Sequence, residues 1–127
     1  MGASTGRKDL STFDYEDVHL HENHVYSVRK ACALPTGERF VLLRDPHARS
    51  DYTNDPISAS ALKTLQKIDK AEASTGSFWM SWMAFRRFIA TLTICSYRDN
   101  LFDVRLEGSF TPHSAHYVQA YYFGLNR

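Results

Sequence analysis

At 127 residues, with a formal net charge of +1 and 23% charged residues, the chain is long enough for one domain with a real core and has no charge excess that would single out nucleic acid as a partner. Its two cysteines, Cys32 and Cys95, lie far apart and fit neither a disulfide framework nor paired zinc-ligand spacing, which favours a reducing, cytoplasmic setting. No apolar run approaches the roughly 20 residues needed to span a bilayer, and the polar start lacks the apolar stretch of a signal peptide, so protein or peptide partners are expected rather than a membrane.

Residues 1–20 mix small, polar and charged types with little periodicity, which predicts a flexible N-terminal tail unless Phe13 and Tyr15 dock on something. Val25 to Val28 is strand-like, Leu34-Pro35-Thr36-Gly37 has turn chemistry, and Arg39 to Arg44 is a second strand, together a β-hairpin. Asp45-Pro46 ends that strand and a polar loop follows to about Ser58. Ser58 or Ser60 can cap a helix that turns Leu62, Leu65 and Ile68 inward and Lys63, Lys67 and Lys70 toward water. After Ser74-Thr75-Gly76, residues Ser77 to Met80 read as extended, and Ser81 caps a helix carrying Trp82, Phe85 and either Phe88 or Ile89 inward. Leu92 to Cys95 is a further strand, and alternation at Phe102 to Glu107 with an aromatic run at Tyr117 to Phe123 makes residues 98–127 a β-rich tail. The fold class expected is α+β, an antiparallel sheet with two peripheral helices.

Asn23 to Val28, Arg44 to His47 and Gly76 to Ser81, in that order, resemble segments of the calpain family of papain-like cysteine peptidases. Asn23-His24-Val25-Tyr26-Ser27-Val28 resembles the family's Gly-His-Ala-Tyr-Ser-Val. Arg44-Asp45-Pro46-His47 stands where the family has Arg-Asn-Pro-Trp-Gly. Gly76-Ser77-Phe78-Trp79-Met80-Ser81 resembles Asp-Gly-x-Phe-Trp-Met-Ser. The resemblance covers about His21 to Tyr97 and implies a domain over 21–97 built as the second half of a papain-like protease core. Val104 to Phe110 resembles the opening of the C2-like domain that follows that core.

The resemblance implies that His24 holds the position of the catalytic base and Asp45 that of the residue orienting it. A hairpin can bring such positions together, because neighbouring strands lie about 4.8 Å apart. The family's nucleophile belongs to an earlier Gln-Gly-x-x-Gly-Asp-Cys-Trp segment, and nothing in this chain resembles it. Cys32 is eight positions beyond His24, on the order of 26 Å away in extended chain, and Cys95 reads as a small buried hydrophobe. The family's shielding tryptophan is His47 here and the following glycine is Ala48. Of the acidic residues that would bind calcium, Asp51 keeps one position, but Thr75 and Ser77 replace the other two. Calcium takes 6–8 oxygen ligands, so loss of the site is expected and no cofactor is assigned.

His19, His21 and His24 cluster at the junction of tail and first strand, and their irregular spacing, without carboxylate support, gives no metal assignment. Trp79, Met80, Trp82 and Phe85 read as core rather than as a ligand-binding aromatic cluster. The expected function is a calpain-related fragment, inactive alone, that acts as a protein-binding or regulatory module in calpain-type proteolysis. The alternative is one part of an active, calcium-dependent cysteine endopeptidase whose cysteine half, a possible partner, is supplied elsewhere.

Overall fold

The computed structural model describes residues 1–94. The expected β-rich segment at 98–127, and Cys95, lie outside the described residues. The elements are β1 (Gly2–Ser4), α1 (Thr12–Asp17), β2 (Val25–Ala33), β3 (Arg39–Arg44), α2 (Ala59–Ile68), a 3-10 turn (Ala73–Thr75), β4 (Ser77–Ser81), α3 (Trp82–Phe88) and β5 (Thr91–Thr93). Over the described residues the class is α+β: one five-stranded sheet in the order β4-β3-β2-β1-β5, antiparallel at every pairing, with three α-helices. Among the described residues no helix is long and apolar enough to cross a membrane.

β3 explains the layering. Phe40, Val41, Leu42 and Leu43 are all buried, so both faces of this strand are covered, as a continuous apolar run requires. Val41 and Leu43 face a core with Tyr26, Phe78 and Met80 from the sheet, Tyr15 from α1, and Phe85 and Phe88 from α3. Phe40 and Leu42 face a second core with Leu34 and Trp79, closed by Ala61 and Leu65 of α2. Each fully buried aliphatic side chain here contributes about 1.5–3 kcal/mol over an exposed one.

The β2–β3 hairpin forms as expected, closed by the Leu34 N–H to Glu38 carbonyl bond (2.8 Å) with Gly37 at φ +86°. Its ladder is interrupted: Val28 pairs with Leu43 and Lys30 with Leu42, leaving Arg29 as a bulge. The capping serines also act as expected. Ser58 rather than Ser60 accepts the Ala61 N–H at 3.2 Å, and Ser81 accepts the Ala84 N–H at 3.1 Å.

The N-terminal segment departs from the expected tail. β1 pairs on both sides, Ala3 opposite Tyr26 and Leu92, and Ala3 is fully buried. Tyr15 does dock. Its hydroxyl accepts the Gly6 and Arg7 N–H groups at 3.1 and 2.9 Å and donates to the Phe88 carbonyl at 3.2 Å. Ser11 and Asp14 close a capping box that starts α1. A three-residue strand of small side chains carries no alternation of its own, and the ladders on either side supply what propensity lacks.

The helix faces differ in detail from expectation. On α2, Ala61 and Leu65 are buried while Leu62 and Ile68 are each 41% exposed, because the helix meets the sheet along a single i, i+4 row. On α3, Trp82 is 39% exposed, whereas Phe85, Phe88 and, just past the helix, Ile89 are all buried. The polar loop after β3 is tied down by Tyr52, whose tilted ring packs on Phe78 with centroids 4.8 Å apart, and by Asp55, whose carboxylate accepts the Tyr52 hydroxyl at 2.8 Å and the Ser81 N–H at 2.6 Å.

Candidate functional site

His24 and Asp45 sit at adjoining ends of neighbouring strands, one residue before β2 and one after β3. Their side chains meet: His24 Nε2 lies 3.0 Å from Asp45 Oδ1. An ionised carboxylate can only accept, so Nε2 carries a proton in this contact, which turns Nδ1 away from Asp45. The resemblance implied a base and an orienting group at these two positions, and the hairpin brings the pair into hydrogen-bond contact.

Asp45 is 2% exposed and is held from several sides. Its own N–H donates to the Gly76 carbonyl at 2.8 Å, and its Oδ1 accepts the His47 N–H at 2.8 Å. Burial alone would push its carboxyl up, but the His47 amide, the His24 ring and the charge of both imidazoles together hold it below its ordinary 3.8. Gly76 makes the close approach possible. At φ +75°, a side chain there would put Cβ 2.7 Å from the Asp45 carbonyl oxygen and 2.9 Å from the Arg49 nitrogen.

The His24 loop is clamped by the N-terminal segment. Thr5, buried just beyond β1, donates its N–H to the His24 carbonyl at 2.9 Å, accepts the His24 N–H on Oγ1 at 2.9 Å, and donates that hydroxyl to the His21 carbonyl at 2.6 Å. Asn23 adopts φ +53°, in the left-handed region that asparagine tolerates. The His24 ring meets Tyr26 edge-on at 4.8 Å and His47 at 4.9 Å, which leaves its side chain 16% exposed. Burial, partly offset by the His21 N–H it accepts, raises the Tyr26 hydroxyl to about 12, and the Asp45 charge adds to the rise.

Cys32 is not part of this arrangement. Before the bulge, Tyr26 and Val28 point to the face that carries His24; beyond it, Cys32 pairs with Phe40 and packs on the opposite core. Burial also raises its thiol pKa, with Lys30 only partly opposing the rise, so the side chain is a poor nucleophile where it stands.

Asp51 does not join Asp45. It is exposed, its carboxylate pairs with Arg49 at 3.5 Å, and its carbonyl accepts from His19 Nδ1 at 3.0 Å. Thr75 Oγ1 donates to the Glu72 carbonyl at 2.8 Å and lies 3.2 Å from Ser77 Oγ, so both hydroxyls are engaged locally.

Local spacing misses what the hairpin assembles. His21, Asp45 and His47 bring one ligand atom each within 4.8 Å of one another, beside a hollow of about 830 Å³ lined also by Glu16, His19 and Tyr26. Asp45 and His47, more than 20 residues beyond His21 in sequence, supply the carboxylate and the second imidazole. Thr5 had no signal at all, since its role depends on β1 entering the sheet. No family model matches the chain, and no solved structure gives a significant match.

Proposed function

We propose that this is a calpain-related chain whose described residues correspond to the histidine-bearing half of a papain-like core, and that it works as a protein-binding module of calpain-type proteolysis, inactive alone. The observation that carries the reading is the 3.0 Å contact between His24 and Asp45, supported by Gly76, whose carbonyl accepts the Asp45 N–H at the head of β4. A second observation supports it independently. Asn23, Ala48 and Gly76 have φ of +53°, +57° and +75°, a region that favours glycine, and the resembling motifs carry glycine at all three positions.

The pair lacks a thiol on its own face among the described residues, which is why binding rather than turnover is proposed. A cysteine-bearing half-core carrying the Gln-Gly-x-x-Gly-Asp-Cys-Trp segment is the matching partner. The test is to titrate that half-domain into the full chain, following the His24 ring protons by NMR and peptide hydrolysis in parallel. Saturable perturbation of His24 is the expected result. Hydrolysis that appears on mixing and vanishes in His24→Ala would favour the alternative, one part of a divided endopeptidase; no perturbation would remove both readings.

A further inference from the structure

We infer that His21, Asp45 and His47 form a zinc site. The donor set is two imidazoles and one carboxylate, the chemistry that suits zinc and neighbouring first-row cations rather than calcium or magnesium, which prefer all-oxygen shells. The inference rests on this geometry alone and not on the family reading.

The three groups are held in ways that suit a metal. His47 Nδ1 lies 3.9 Å from Asp45 Oδ1, and all three donors fall within 4.8 Å. Tetrahedral zinc with ligands at about 2.0–2.1 Å wants donors about 3.4 Å apart, so the gap to close is small. The two groups that must move are the ones that can, because His21 and His47 are both exposed while Asp45 is buried and fixed. His47 is 70% exposed at its side chain, and its ring is 6.1 Å from that of His21.

The surrounding bonds supply the outer support that metal-ligating carboxylates need. Asp45 Oδ1 already accepts from the His24 ring and the His47 amide, which orients the carboxylate before any ion arrives. The His21 backbone is fixed from two sides, its N–H on the Tyr26 hydroxyl at 3.0 Å and its carbonyl on Thr5 Oγ1 at 2.6 Å. Three protein ligands leave a fourth position toward the hollow, open to water or to a donor from a bound partner.

The experiment titrates zinc chloride into the full-length, chelator-treated chain by calorimetry, with calcium and magnesium as comparisons and the His21 and His47 ring protons followed by NMR. One zinc per chain should bind, with neither calcium nor magnesium competing. The His21→Ala/His47→Ala double variant should bind about 100-fold or more weakly, as expected when two of three ligands go. Both side chains are exposed, so that variant should keep the wild-type melting curve. His19→Ala should leave the affinity unchanged. No binding at about 100 μM zinc, undiminished affinity in the double variant, or equal loss in His19→Ala would each overturn the assignment.

Discussion

Gly76 and Asp45 stand back to back: the Asp45 N–H donates to the Gly76 carbonyl at 2.8 Å, and the place where a Gly76 side chain would begin is 2.7 Å from the Asp45 carbonyl oxygen. The glycine at the head of β4 thus sets where the carboxylate beside His24 sits. Gly76→Ala must both take up a left-handed backbone and displace the Asp45–Arg49 turn, so a loss of about 2–4 kcal/mol is expected. Urea unfolding measures it, and a loss under about 0.5 kcal/mol would mean that the turn yields freely.

Ala48 occupies φ +57° without being glycine. Ala48→Gly should therefore stabilise the fold, by about 0.5–1 kcal/mol once the greater freedom of glycine in the unfolded chain is subtracted. Gly37→Ala is the matched comparison, since φ there is +86° but nothing lies within 4 Å of the added carbon. It should cost about 0.5–1 kcal/mol, the same conformational balance with its sign reversed. Thermal melts of both variants test the pair, and a shift of the same sign in each would contradict the backbone argument.

The Asp45 carboxyl has a folded pKa below its ordinary 3.8, where the amide and imidazole contacts outweigh burial. A depressed pKa means that the unfolded chain binds the proton more tightly, so this stabilisation is fully present above the unfolded value and is lost as pH falls through the folded one. Comparing wild type with Asp45→Asn, in chelator to exclude metal, the contribution of the ionised carboxylate should be lost progressively as pH falls through the ordinary carboxylate range and below it. A stability difference that stays the same from pH 5 down to about 2 would contradict the depressed carboxyl pKa.

Cys32 should alkylate more slowly than an unstructured thiol at neutral pH, because burial raises its pKa. In a Cys95→Ser background, His24→Ala should leave that rate unchanged, since the two side chains lie on opposite faces of the sheet. Iodoacetamide kinetics by mass spectrometry provide the measurement. A rate that drops more than about threefold without His24 would argue for a thiolate–imidazolium contact.

Much of this arrangement was legible in residue order. The β2–β3 hairpin, the strand at Ser77, the capping role of Ser81 and the approach of His24 to Asp45 follow from turn chemistry, periodicity and the motif resemblance. What escaped depends on partners distant in sequence. β1 is three small residues that only a ladder on each side can hold, and Thr5 gains its place at the His24 loop from that docking. His47 joins His21 only once the hairpin closes. On α2 the reason is different: periodicity finds an apolar face that includes Leu65, but the width of contact decides which neighbours are covered, here Ala61 rather than Leu62 or Ile68.

The extra residue at Arg29 acts as a phase change in β2. Strict alternation would place His24 and Cys32 on one side of the sheet, yet Cys32 faces Phe40, and the positions opposite Val41 and Arg39, Ala31 and Ala33, inherit the side that His24 occupies. Any thiol, spin label or crosslinker meant to approach His24 along this strand should therefore be installed at even numbers up to Val28 and at odd numbers after the bulge. Both alanines are exposed and end in a single methyl, so the strand offers two such positions at little cost to either core.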